Sequence, residues 1–106
     1  MLSIKPGVQL STRSEMDVVR RAVDTVWRKY GLTATITSGM ESESMHRTQI
    51  HYQGLAEDYR TKDIPENRPK LLMFSEVRQL LGSNYDVIYE SDGLPNEHMH
   101  IEYDPN

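Results

Sequence analysis

The chain has 106 residues, 37% of them hydrophobic and 26% charged, and this composition is typical of one globular domain spanning residues 1–106. It contains no cysteine, which excludes disulfide bonds, thiolate metal sites and a cysteine nucleophile. Its net charge of −4 and its scattered basic residues argue against nucleic acid as a partner, because phosphate contacts require clustered Lys and Arg.

The N-terminal stretch MLSIKPGVQL lacks the apolar core of a signal peptide, and no later stretch is long and apolar enough to span a membrane. We therefore expect synthesis and folding in the cytoplasm, without insertion into a membrane. We also expect the protein to be a monomer. Action outside the cell would then require release by another agent.

The stretch SEMDVVRRAVDTVWRKYG predicts the first helix, because its apolar residues recur at three- and four-residue steps and Gly31 ends the run. Ser14 is the predicted N-cap, with Asp17 completing a capping box. The basic pair Arg20 and Arg21 is predicted to lie on a solvated helix face. The apolar positions are Met16, Val19, Val23, Val26, Trp27 and Tyr30.

The stretch LTATITSG alternates in the manner of a strand, with Leu32, Ala34 and Ile36 on one face and hydroxyl residues on the other. Gly39 ends this predicted strand. Residues 40–49 show no period and predict a polar loop that is long enough to be functional. His46 lies in this loop and is expected to be solvated.

A second helix is predicted from about Glu66 or Pro69 to Leu81, closed by Gly82. Its predicted inward-facing residues are Leu72, Val77, Leu80 and Leu81. The stretches YDVIYES and HMHIEYD predict two strands that flank the turn SDGLPN, and Tyr85, Val87 and Tyr89 share one strand face. The element order favours an α+β domain with a mostly antiparallel sheet and helices packed on one face.

Histidine stands close to carboxylates in two stretches, HYQGLAEDYR and NEHMHIEYD. His51 and Asp58 are seven residues apart, so they converge only if the backbone is irregular between them, and Gly54 is suited to such a bend. His98 and His100 share one face of a strand, whereas Glu97 belongs to the strand mouth. These spacings leave a metal site, a catalytic dyad and ordinary hydrogen-bonded pairs as alternatives.

The combined motifs resemble those of zinc peptidases that cleave bacterial cell-wall peptides. This group includes D-alanyl-D-alanine carboxypeptidases and dipeptidases, phage L-alanyl-D-glutamate endolysins and the related hedgehog domains. The resemblance is nearest to short phage-encoded members, which have counterparts of the KPGV start, the TSG strand, the HY-x-G-L-A-x-D-x-R-T motif and the EH-x-H-x-EYDP end. It covers nearly the whole chain and implies a hedgehog or DD-peptidase-like fold.

The resemblance implies a zinc site with His51, Asp58 and His100 as ligands and a fourth position for water. Two imidazoles and one carboxylate suit zinc, and an open position is typical of a catalytic rather than a structural site. The same resemblance implies that Glu97 is the general base, and that His98 stabilises the developing oxyanion or holds the water.

The chain departs from this family at positions that concern substrate recognition. Gln49 stands where relatives usually have serine, and Met40 and Glu41 follow TSG where relatives often have an aromatic residue and an arginine. Arg60, in a position shared with the phage relatives, or Arg47 is expected to hold a substrate carboxylate, because a guanidinium can bind it through two hydrogen bonds.

The function implied is zinc-dependent hydrolysis of an amide bond in peptidoglycan stem peptides, in phage-related cell-wall lysis. The alternative is a catalytically inactive zinc-binding module of the same fold, with a binding or virion-structural role. Glu97 and His98 favour the enzyme, because a structural zinc site has no use for a general base and normally has four protein ligands. Glu57, next to Asp58 but on the opposite strand face, is expected to be exposed.

Overall fold

The computed structural model describes residues 1–41 and 53–105. These residues form an α+β arrangement of two helices and a five-stranded mixed sheet. In chain order the elements are β1 (Ser3–Ile4), α1 (Ser14–Lys29), β2 (Thr35–Ser38), β3 (Ala56–Arg60), α2 (Lys70–Leu81), β4 (Tyr85–Glu90) and β5 (His98–Tyr103). Neither helix is long and apolar enough to cross a membrane.

The strands are ordered β1-β2-β3-β5-β4 in the sheet. β1 is parallel to β2, and every other neighbouring pair is antiparallel, so the predicted mostly antiparallel sheet is confirmed for the described residues. The two-residue strand β1 is absent from the predicted elements. Its short length explains this, because an alternating pattern needs more residues to be recognised.

Both helices pack on one face of the sheet and form a single core with it, as the element order predicts. Strand register assigns the residues that face this core: Tyr59 is the cross-strand partner of Ile36 and of Met99. Because side chains alternate along a strand, Asp58 and its partner His100 belong to the opposite face. The core contains Met16, Val19, Val23, Val26 and Trp27 from α1, Met73, Phe74, Val77 and Leu81 from α2, and Ile36, Tyr59, Val87, Met99 and Ile101 from the sheet.

The predicted capping box of α1 is wrong. Ser14 is already helical, and the N-cap residue Arg13 makes no side-chain capping hydrogen bond. The nearby hydroxyl of Ser11 accepts a hydrogen bond from the Arg13 backbone N–H at 3.1 Å and donates one to the carbonyl oxygen of Gly54 at 2.8 Å. Ser11 thus ties the start of α1 to the approach to β3.

The predicted inward face of α2 is wrong at two positions. Leu72 and Leu80 are 52% and 56% exposed, whereas Met73 and Phe74 are buried. Leucine doublets at both ends of the helix fit more than one rotation about its axis, and packing against α1 and β4 selects one of them. The end of α2 is as predicted, since Gly82 follows the last turn with a φ of 81°.

Gly54 is required by both its backbone conformation and its surroundings. Its φ is 77°, and a Cβ at this position would lie 2.6 Å from the Ser11 hydroxyl oxygen. We expect Gly54→Ala to reduce the free energy of unfolding by about 2 kcal/mol or more, because left-handed strain and a steric clash act together. Urea denaturation with unchanged m-values measures this loss.

Gly93→Ala is the matched control, since Gly93 has the same φ of 77° and nothing within 4 Å of its added Cβ. The control variant should lose about 1 kcal/mol, the cost of the conformation alone. Equal losses in the two variants would mean that the added Cβ at position 54 makes no costly contact with Ser11.

Candidate active site on the sheet face opposite the helices

Asp58 and His100 form the centre of the candidate site. They are cross-strand partners on β3 and β5, and Nδ1 of His100 lies 2.7 Å from Oδ1 of Asp58. The other ring nitrogen of His100, Nε2, lies 2.8 Å from Oε1 of Glu102, two residues further along β5. Both imidazole nitrogens therefore face carboxylates, although His100 is only 4% exposed.

This arrangement has the chemistry of a metal-binding pair. Ligand atoms bound to a tetrahedral zinc at about 2.0–2.1 Å lie roughly 3.3 Å apart. Asp58 and His100 would thus need to separate by only a few tenths of an ångström from their 2.7 Å contact. Glu102 provides the carboxylate that commonly accepts the remaining N–H of a metal-bound histidine. His51, the third predicted ligand, lies outside the described residues.

The two carboxylates also control the protonation of His100. Burial alone lowers the pKa of this imidazole, but the hydrogen bonds with Asp58 and Glu102 raise it above its ordinary value. The protonated ring must lose a proton before a nitrogen can bind a metal ion. Metal affinity is therefore expected to fall as the pH decreases.

His98 lies beside this pair on the same strand face, as predicted. Its Nδ1 donates to the carbonyl oxygen of Asn96 at 2.8 Å, since a carbonyl can only accept. The other nitrogen, Nε2, lies 3.0 Å from Oε1 of Glu90 and 4.0 Å from Oδ1 of Asp58. His98 is therefore within reach of a small molecule bound at Asp58.

Glu97 immediately precedes β5 and is only 6% exposed. Lys70, at the start of α2, donates to its Oε2 at 2.9 Å, and the Gly93 N–H donates to its Oε1 at 3.2 Å. Sequence reasoning did not foresee Lys70, because a contact between residues 27 positions apart has no local signature. Glu97 is thus an anion with a fixed cationic partner.

The pKa of Glu97 reflects this environment. Burial would raise it, but the Thr61 hydroxyl, the Lys70 ammonium and the Gly93 N–H together lower it to about 2. The Thr61 hydroxyl is buried and forms no hydrogen bond of normal geometry among residues 1–41 and 53–105, but it lies close enough to Glu97 to lower the pKa of that carboxyl group. Glu97 consequently remains a carboxylate throughout the neutral pH range.

A cleft of about 440 Å³ opens beside these residues. Asp58, Glu97, His98 and Arg60 all line it, so the structure brings four predicted site residues together. Arg47, the other predicted carboxylate-binding residue, lies outside the described residues. The remaining lining residues are Lys5, Thr37, Ser38, Lys62, Pro95 and Asn96.

The expected exposure of Glu57 is wrong, and so is the expected solvation of Arg20. Glu57 is completely buried, and its Oε2 accepts hydrogen bonds from Nε of Arg20 at 2.9 Å and from Nη2 of the same guanidinium. The Tyr59 hydroxyl donates to Oε1 of Glu57 at 2.8 Å. Burial and the Glu57 carboxylate raise the pKa of Tyr59 well above its ordinary value. Tyr59 lies two residues after Glu57 and therefore on the same face of β3, which packs against the core. This spacing was the sequence signal that Glu57 is buried.

A second group of metal-binding residue types lies on the same sheet face. Asp86, Glu102 and Asp104 place one ligand atom each within 4.8 Å of the others, and among the described residues this acidic cluster is the only group of three that could hold a metal ion. Burial and the neighbouring Asp104 raise the pKa of Asp86, which indicates repulsion between these carboxylates. Glu102 connects the acidic cluster to His100.

No protein-family model matches this chain, and neither a curated protein nor a solved structure matches it. The resemblance carried by the histidine motifs therefore remains a hypothesis about the family.

Proposed function

We propose that this protein is a zinc-dependent peptidase that hydrolyses an amide bond in peptidoglycan stem peptides, in phage-related cell-wall lysis. The observation that carries the proposal is the alignment of Asp58 with His100 across two strands, beside a cleft that Glu97 and His98 also line. A metal-binding pair, a carboxylate and an imidazole at one cleft are the groups that metal-assisted amide hydrolysis requires. A hedgehog or DD-peptidase-like fold is part of this proposal.

Asp58 and His100 would hold the zinc ion together with His51. Glu102 would orient the His100 ring by accepting its second N–H. When bound, zinc would supply a Lewis acid and lower the pKa of a water molecule to roughly 7.

Glu97 would accept a proton from the attacking water at a carboxylate oxygen and deliver it to the leaving amine. Its pKa of about 2 makes it a weak base while Lys70 holds it, so this role requires the pair with Lys70 to loosen in the substrate complex. His98 would lie beside the carbonyl oxygen and stabilise the negative charge that develops there.

Arg60 would hold a carboxylate of the substrate. It lines the cleft and lies two residues after Asp58, so the two side chains share one face of β3. Stem peptides carry free carboxylates, and a guanidinium is well suited to bind them. Arg47 is a second candidate for this role.

Defined muropeptides test the proposal. The purified protein should contain one zinc ion per chain and release products that mass spectrometry identifies, and a chelator should abolish this activity until zinc is restored. His100→Ala should lose most of the metal, whereas His98→Ala should retain it. Absence of any first-row metal in protein prepared without chelator, together with no cleavage after zinc addition, would contradict the proposal.

The close pairing of Lys70 with Glu97 favours a second candidate, a zinc-binding module of the same fold without catalysis and with a binding or virion-structural role. If Lys70 holds the Glu97 carboxylate throughout, Glu97 cannot take a proton from water and cannot act as a general base. One zinc ion per chain with no product from any muropeptide would support this second candidate.

A further inference from the structure

The cleft contains three cationic side chains that have no partner among the described residues. Lys5, Arg60 and Lys62 all line it, and none of them forms an ion pair or a side-chain hydrogen bond with a residue in 1–41 or 53–105. Two other cations, by contrast, are held in ion pairs: Lys70 pairs with Glu97, and Lys29 pairs with Glu76 at 3.0 Å. Within the described residues, the cleft therefore brings together three cations without a charged partner, in a protein whose net charge is −4.

The two acidic residues that line the cleft do not cancel this charge. Asp58 lies 2.7 Å from Nδ1 of His100, and Glu97 lies 2.9 Å from Nζ of Lys70. Lys70 therefore opposes the charge of Glu97, whereas Asp58 is the carboxylate that would bind the proposed zinc ion. Because low-dielectric walls focus the field inside a cleft, the positive charges of Lys5, Arg60 and Lys62 favour an anionic ligand there.

Arg60 and Lys5 lie at different distances from Asp58, the candidate metal ligand. Arg60 follows Asp58 by two residues on β3, and its cross-strand partner is His98. Lys5 continues the line of β1, since its backbone N–H donates to the carbonyl oxygen of Ile36 on β2 at 2.9 Å. β1 is two strands away from β3, which corresponds to roughly 10 Å at the usual spacing of neighbouring strands. The backbones that carry Arg60 and Lys5 are thus separated by about the length of three residues in an extended peptide.

We propose that Lys5 and Lys62 determine specificity by selecting a peptide with at least two free carboxylates. Arg60 and Lys62 bind one carboxylate close to the scissile bond, and Lys5 binds a second one across β2. The identification of that peptide as a wall stem peptide rests on the proposed function. The prediction for specificity is that a stem peptide with free side carboxylates is bound better than the same peptide with those groups amidated.

Equilibrium binding and cleavage are measured with one muropeptide in two forms, its carboxylates free or amidated. The zinc-supplemented wild-type protein should bind the free form roughly tenfold more tightly, as expected for the loss of one charge-assisted contact. We expect Lys5→Met and Lys62→Met each to weaken binding of the free form several-fold. The ratio of the affinities for the free and the amidated form should therefore decrease. Neither variant should alter zinc content or the binding of the amidated form.

Arg21→Met is the matched control, because it removes one positive charge from an exposed position on α1, behind the opposite face of the sheet. It should leave both affinities unchanged. Equal binding of the two muropeptide forms by the wild type, or unchanged preference in both lysine variants, would overturn the proposal. Selective binding without cleavage would uphold the carboxylate subsites and instead count against the proposed peptidase activity.

Discussion

Arg20→Met is expected to lower the free energy of unfolding by about 3–5 kcal/mol, the largest effect on stability that we predict. The substitution leaves the fully buried Glu57 carboxylate with the Tyr59 hydroxyl as its remaining hydrogen-bond donor among the contacts described above. It also removes the hydrogen bond from Nη2 of Arg20 to the carbonyl oxygen of Ser11, which is 2.8 Å long. Removing one partner of a buried ion pair costs more than the intact pair contributes, and urea denaturation in chelator isolates this effect from metal binding.

Arg21→Met is the control for helix propensity and net charge, since the neighbouring Arg21 is exposed. It should change stability by no more than about 0.5 kcal/mol. The double variant Arg20→Met/Glu57→Met should be more stable than Arg20→Met alone, because removing both charges leaves neither one buried without a partner. A loss below about 1 kcal/mol in Arg20→Met would show that the buried ion pair does not anchor β3 to α1.

Glu97→Gln is expected to reduce the rate of muropeptide cleavage by roughly 10²–10⁴-fold, the largest effect on activity that we predict. Glutamine retains the size of the side chain and one acceptor oxygen, but it cannot accept a proton at neutral pH. Zinc content should be unchanged, because Glu97 is assigned as a proton carrier rather than as a ligand. Glu66→Gln, at an exposed position between β3 and α2, is the control and should cleave at the wild-type rate.

Lys70→Met separates the catalytic role of Glu97 from a purely structural one. Removing the ammonium should raise the pKa of Glu97 from about 2 toward its ordinary value. Since the base must be unprotonated, the acidic limb of kcat/KM should move to higher pH while activity at neutral pH persists. If Lys70→Met and Glu97→Gln lose activity equally, the ion pair supports the fold and Glu97 is not the general base. If Glu97→Gln loses its zinc, Glu97 is a metal ligand.

The sequence by itself determined the elements whose signals are local. Short apolar patterns identify the faces that pack against the core. They occur as the three- and four-residue spacing in α1, and as the alternation at Ala34 and Ile36 and at Tyr85, Val87 and Tyr89. Gly82 ends α2 as predicted, because its positive φ is unfavourable for other residues. Strand alternation likewise predicted that His98 and His100 share a face.

Only the tertiary structure decided which groups meet across the chain. Asp58 contacts His100, which is 42 residues away, because the register of β3 against β5 makes them cross-strand partners. Register depends on the packing of whole strands, and no pattern near either residue specifies it. The predicted ligand His51 lies outside the described residues.

The burial of Glu57 and the pairing of Glu97 have the same physical origin. A carboxylate is exposed or buried according to the cation that reaches it, and the partners Arg20 and Lys70 lie 37 and 27 residues away in the sequence. Burial of a charge is tolerated only when such a partner arrives with the correct geometry. The sequence therefore determined which residues are able to do chemistry, and the packing of α1 and α2 on the sheet decided that Glu57 and Glu97 are each paired with a cation.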